Sequence, residues 1–187
     1  MIWAIIAIVV IVVLLAVFAM VGFNKLRKAD IVAQEALGGI DVQLTRRADL
    51  IPNLVNSVKG YAAHEAGVFE AVTAARATVQ NAAHAPSVAQ KAAADAQMSG
   101  ALGRLFAVAE NYPQLQASAN FQSLQTELAD TENKLPFARQ YYNDATSRLN
   151  QLVQTIPWMF FKGMASVGTR EFYQAPAGQQ QPPQVQF

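Results

Sequence analysis

The stretch from Met1 to Asn24 holds no charged side chain, and Lys25, Arg27 and Lys28 follow it at once. No other feature restricts the fold as strongly, because it sets the solvent in which the first helix must be stable. Ile2 to Phe23 is almost wholly Ile, Val, Leu, Ala and Phe. As a helix it is roughly 33 Å long at about 1.5 Å per residue, enough to cross a ~30 Å hydrocarbon core. Fifteen of its residues are Ile, Leu, Val or Phe, and together they favour insertion by roughly 4–9 kcal/mol. A cleaved signal peptide needs a basic start, a shorter core and a small-residue cleavage site. Here nothing basic precedes the core, the core is too long, and Val17-Phe18-Ala19 is a poor site. Residues 1–24 are therefore expected to be an uncleaved transmembrane anchor. The basic cluster on its C-terminal side directs the remaining chain into the cytoplasm. Lys25, Arg27 and Lys28 set that topology, and beside an anionic surface each would add about 1 kcal/mol of lipid attraction.

Beyond the anchor, about 150 residues remain, enough for one domain with its own core. The formal net charge is +1, less than the three membrane-proximal cations supply. The rest is slightly acidic, with no basic surface for nucleic acid. The chain has no cysteine. That excludes disulfides, thiolate nucleophiles, zinc–thiolate sites and a lipidated cysteine anchor, and leaves the compartment open.

Strand signals are nearly absent past the anchor, and alanine, the strongest helix former, is abundant from Ala62 to Ala109. From Ile40, apolar residues recur at steps of three and four: Leu44, Ile51, Leu54, Val58, Tyr61, Val68, Val72 and Val79, with Arg47, Glu65 and Ala75 filling the other steps. That spacing is the seam of a helical bundle or coiled coil. Pro86 ends the run. Ser87 and Gln90 have the spacing of a capping box that opens a helix to about Glu110, whose seam is clear only from Met98 onward. Asn111-Tyr112-Pro113 breaks it, and Ser118 or Asn120 can cap the last helix. That helix has the longest register, from Phe121 through Leu128, Leu135, Tyr142 and Leu149 to Ile156, with Thr131 in the one polar slot. Pro136 should bend it and Pro157 end it.

Pro52 admits two readings. It can sit in the first turn of a new helix capped by Asp49, or inside one kinked helix. A break yields four elements of about 25, 33, 23 and 36 residues, lengths that pair side by side, and the break is preferred on that ground. The predicted fold is all-α: one N-terminal transmembrane helix, then a four-helix bundle over 25–157. Residues 158–174 form an apolar segment packed on the bundle or at the membrane interface, where Trp and Lys are favoured. Residues 175–187, rich in Pro, Gln and Gly, read as a disordered tail.

The block from Ile40 to Tyr61, IDVQLTRRADLIPNLVNSVKGY, resembles the signature of the LemA family. The likeness continues at His64-Glu65, Ala75-Arg76-Ala77, Ala107 to Pro113 (AVAENYP), Thr131 to Lys134 (TENK) and Ala138 to Asn143 (ARQYYN). It covers roughly residues 1–173. The chain departs from the pattern at Ile156 to Phe161 (IPWMFF), which is bulkier and more apolar. The resemblance implies a bacterial membrane protein with one N-terminal transmembrane helix and an elongated, up-and-down four-helix domain. It implies no enzyme activity. The family includes proteins linked to magnetosome membranes, which suggests a membrane-organising role.

His64-Glu65 invites a metal or acid–base reading, but a zinc protease helix needs a second His four residues on, and that position is Val68. The serines have no evident His and carboxylate partners. No catalytic residue, cofactor, metal or small-molecule substrate is expected. Asp41, Arg46, Arg47 and Asp49 form the densest charge cluster. Arg46 and Asp49 are spaced to pair at i,i+3, and an Arg47 in the seam must be paired, because a lone buried charge costs several kcal/mol. The cluster is expected to be a structural clasp at a helix junction, with a docking site for an acidic partner as the alternative. The leading function is a non-enzymatic membrane scaffold that self-associates, through alanine-rich faces for example, or recruits another membrane protein. An accessory subunit of a membrane protease or transporter is second, and a hydrolase third.

Overall fold

The structure, a computed structural model, describes residues 1–62 and 64–174. Those residues form no strand. The helices are α1 (Ile2–Lys59), α2 (Ala66–Ala83), α3 (Val88–Ala109), the single turn α4 (Pro113–Gln116), α5 (Ala119–Gln154) and α6 (Lys162–Ala165), with a 3₁₀ turn at Trp158–Phe161 before α6. Residues 175–187, expected to be a disordered tail, lie outside the described residues.

The preferred break at Pro52 is not where the chain breaks. α1 passes through Pro52 and continues to Lys59. Pro52 has no N–H for the Ala48 carbonyl, the usual cause of a break. Here Arg76 of α2 supplies the missing donor, its Nε lying 3.1 Å from that carbonyl. The chain turns about two helical turns later. The Tyr61 and Ala62 amides both close onto the Val58 carbonyl, at 3.0 and 2.9 Å, and α2 starts at Ala66. The three-four spacing runs unbroken across this turn, so periodicity alone did not mark it. Tyr61, counted in the seam, is consequently exposed.

The later boundaries fall near their sequence signals. The Ser87 side chain accepts the Gln90 amide at 3.3 Å and caps α3, Pro113 opens α4, and α5 carries Pro136 in its interior. Ile156 falls outside the α5 register, because the helix stops at Gln154 and leaves Ile156 exposed.

The chain divides into two compact units. One contains Met1–Leu37 and Tyr141–Phe172. Its core includes Leu26, Ala33 and Ala36 of α1, Tyr142, Ala145, Leu149 and Val153 of α5, and Ala165 and Val167. Segment 166–172 is tied to both helices. Arg170 exchanges backbone hydrogen bonds of 2.9 Å with the Asn150 side chain and contacts Asp30 at 2.8 Å. The Tyr142 hydroxyl donates to the Glu171 carbonyl at 2.7 Å. Preceding this core, Ile2 to Val21 lies with nearly all its large apolar side chains exposed. Among the described residues, α1 is the one helix long and apolar enough to cross a membrane, by length and composition.

The other unit contains Gly38–Gln140 with Tyr173. Ile40, Leu44, Ile51, Leu54 and Val58 of α1 are buried in it, with Val72, Ala75 and Val79 of α2, Met98, Leu102 and Leu105 of α3, and Phe121, Leu124, Leu128 and Leu135 of α5. Each such large side chain contributes about 1.5–3 kcal/mol through burial. α2 packs along α3, and the small residues Ala75, Ala82, Ala92, Ala94 and Ala101 are buried on these helices. These small side chains let the two helices approach closely inside the unit.

Candidate functional site: a buried ion-pair network

The second unit holds charged groups inside its core. Asp95 of α3 and Arg47 of α1 are each 3% exposed. Arg47 Nη1 donates to Asp95 Oδ1 at 2.8 Å, while Nη2 reaches Ser99 Oγ at 3.0 Å and Glu132 Oε2 at 2.9 Å. The other Asp95 oxygen accepts from Arg139 of α5 and, at 3.2 Å, from the Tyr173 hydroxyl. The Arg139 guanidinium also lies 5.2 Å from the Tyr173 ring centroid. Two cations thus face two anions. This balance is what lets charge persist in a core, since removing one member leaves another desolvated and unpaired. Burial pushes the Tyr173 hydroxyl pKa well above its usual value, and the Asp95 charge adds to the rise. The phenol therefore stays a neutral donor.

A second buried cation, Lys91, is 1% exposed. Its ammonium group donates to Asp41 Oδ1 at 2.6 Å and to the carbonyls of Ala82 and Ala83 at 3.1 and 2.8 Å. All three donors are used. The two carbonyls end α2, so the ammonium also sits at the negative end of that helix dipole.

The clasp residues are thus divided rather than gathered. Asp41 meets Lys91, and Arg47 meets Asp95 and Glu132. The expected Arg46–Asp49 pair does not form. Arg46 lies 3.6 Å from Asp130 of α5 instead, and Asp49 is exposed, with no ion pair among the described residues. Spacing along one helix shows only what is within reach, and a carboxylate on another helix competes for Arg46. Lys134 also binds Asp130 at 2.7 Å, and that hydrogen bond holds the Asp130 carboxyl below its ordinary pKa. Nor does the cluster stand at a junction, since α1 continues beyond Pro52.

Of the membrane-proximal cations, Lys25 lies 4.0 Å over the Trp158 ring, Arg27 is 3.9 Å from Asp30, and Lys28 is exposed. His64 is exposed in the turn before α2, and His84 is the exposed C-cap of that helix. The two are held apart by α2, roughly 27 Å long at its 18 residues. Among the described residues no group of three His, Asp or Glu side chains is placed to hold a metal ion.

Lys91, Asp95, Arg139 and Tyr173 were not singled out from the sequence. For two of them a signal existed. The α3 seam, extended upstream from Met98 by steps of three and four, passes through Asp95, Lys91 and Val88, all buried. The weak first half of that seam was a pair of core charges. Beside the network, Leu102, Gly103, Phe106, Leu128 and Ala129 line an open groove of about 420 Å³ together with Arg47, Ser99, Gln125 and Glu132.

Among the described residues, an all-helical fold with an apolar helix of membrane-spanning length and an internally paired ionic core defines a membrane-associated helical protein. The chain belongs to the LemA family, whose pattern it matches over residues 36–187. It is similar to magnetosome protein MamQ of Magnetospirillum gryphiswaldense, 27% identical over 170 residues, which is 78% of this chain and 62% of that protein. It is also similar to magnetosome protein MamQ 2 of Paramagnetospirillum magneticum, 34% identical over 86 residues, 46% of this chain and 32% of that protein. The chain covers less than two thirds of the length of these relatives.

Proposed function

We propose that this protein is a non-enzymatic, membrane-anchored helical scaffold that self-associates or recruits another membrane protein. The observation that carries it is the ionic core. Arg47, Lys91, Asp95 and Arg139, the polar side chains best placed for chemistry, are engaged with one another and with backbone carbonyls. Groups held this way stabilise one arrangement of helices. The resident membrane is the bacterial inner membrane, with the helical domain in the cytoplasm. The cations Lys25, Arg27 and Lys28 support that orientation. The magnetosome names of the relatives support a membrane-organising role.

Crosslinking in native membranes, followed by purification and mass spectrometry, tests the proposal. A ladder of homo-oligomers, or one recurrent membrane partner, is expected. Loss of cellular function in a folded His64→Ala variant, with crosslinks unchanged, would overturn it in favour of an enzyme. Protease added outside spheroplasts should spare the helical domain, and external cleavage would reverse the orientation. A second reading, an adaptor for a membrane enzyme or transporter, is favoured by the apolar groove at Leu102, Phe106 and Leu128.

A further inference from the structure

The segment after α5 is aromatic, and it sits where the apolar run of α1 ends. Phe161 packs edge-on against Phe18 at 5.2 Å between centroids, and Trp158 lies 6.3 Å from the same ring. The Lys25 ammonium lies 4.0 Å over the Trp158 ring. Gly22, one turn beyond Phe18, is buried because the Phe161 ring rests on it, and a Cβ built there would overlap that ring. The contact therefore spans Phe18 to Lys25, about 10 Å of helix at its standard rise. That is the stretch where α1 passes from charge-free to cationic sequence.

The outward side of the same segment is apolar and uncovered. Ile156 is 73% exposed, Phe160 71% and Met164 54%. On α1, Val17, Met20 and Val21, close in sequence to Phe18 and Gly22, are also exposed. Three large apolar side chains exposed within nine residues, on a segment packed against the apolar end of α1, call for an apolar surrounding. Trp158 and the Lys25 ammonium above it match the headgroup region, where an amphipathic ring and an ammonium are favoured together.

We propose that residues 156–164 are a second membrane element, an aromatic foot lying in the headgroup layer beside α1 with Ile156, Phe160 and Met164 against the acyl chains. This rests on the reading of residues 1–24 as the anchor. The partner is the bilayer that α1 enters.

The two tryptophans, Trp3 and Trp158, make the test direct. The full chain is reconstituted into phosphatidylcholine–phosphatidylglycerol vesicles whose acyl chains carry bromine near the headgroup or near the bilayer centre. In Trp3→Phe, Trp158 is the sole emitter and should be quenched at least twofold more by shallow than by deep bromine. Adding Ile156→Asp, Phe160→Asp and Met164→Asp should cut that quenching by half or more, with helicity retained. Absence of quenching in Trp3→Phe overturns the foot. So does quenching unchanged by the three aspartates. The variant Trp158→Phe reports Trp3 alone and separates the two readings. Quenched Trp3 with unquenched Trp158 removes the foot and keeps the anchor, whereas two unquenched tryptophans remove both.

Discussion

The Nε of Arg76 donates at 3.1 Å to the backbone carbonyl of Ala48, the acceptor that Pro52 cannot serve. A side chain from α2 thus completes the hydrogen bonding of α1 at the position where α1 would be expected to end. Both residues lie in blocks that carry the family likeness, and the contact gives those two blocks a common physical purpose.

Arg76→Ala should lower the unfolding free energy by about 1.5–3 kcal/mol, the range for a hydrogen bond that involves a charged group. In a Pro52→Ala background, where the Ala48 carbonyl regains a helical partner, the same substitution should cost less. A double-mutant cycle by chemical denaturation measures the difference. Purely additive effects would show that Arg76 does not compensate for the proline.

Asp95→Ala should be the most damaging polar substitution, costing about 3–5 kcal/mol, because it leaves Arg47 and Arg139 facing each other in the core. Arg46→Ala should leave the unfolding midpoint almost unchanged, since its pair with Asp130 is solvent-exposed. Testing the two arginines singly separates clasp from docking surface. Arg47→Ala should lower the midpoint, while crosslinks lost in a stable Arg46→Ala protein would assign docking to the exposed residue.

Lys91→Met should destabilise by about 2–4 kcal/mol, stranding Asp41 and two helix-terminal carbonyls. Asp41→Asn should cost less, since the carbonyl bonds survive and Asp41 is partly wetted. Equal losses would mean that the α2 cap contributes nothing beyond the ion pair.

Stability should fall at alkaline pH through Tyr173. Its folded pKa is raised by burial and by Asp95, so the folded state holds the proton more tightly than the unfolded state, which releases it near pH ~10. The contribution is intact below that pH and is lost as pH rises further. Melting temperatures measured from about pH 9 to about pH 11.5 should drop less steeply for Tyr173→Phe. Parallel curves would exclude Tyr173 as the titrating group.

Much of the fold was legible because periodicity reports which face of a helix is buried. The α5 register places Leu124, Leu128, Leu135, Tyr142 and Leu149 in the core, where all five are found. Helix ends were legible where a local device makes them, as Ser87 does. They were illegible where the deciding partner is distant. Nothing near Pro52 announces Arg76, and the turn after Lys59 keeps the three-four spacing intact. The ionic core was half visible. Arg47 stands out as a charge in an apolar seam, whereas Asp95 and Lys91 interrupt the apolar pattern of α3 and make its seam look weak.

The Phe161 contact on α1 carries a consequence for the proposed anchor. Phe18, Gly22 and Leu26 succeed one another at four-residue intervals, so the stripe that receives the aromatic ring runs directly into the first buried position of the core. Azimuth as well as length is therefore encoded. One alanine inserted after Asn24 would preserve hydropathy, charge order and span, yet rotate Gly22 away from Leu26 by about 100°. A foreign apolar helix of equal length would hold the protein at the membrane without offering Phe161 a seat. The anchor behaves less like a tether than like a keyed shaft, with Gly22 as the keyway.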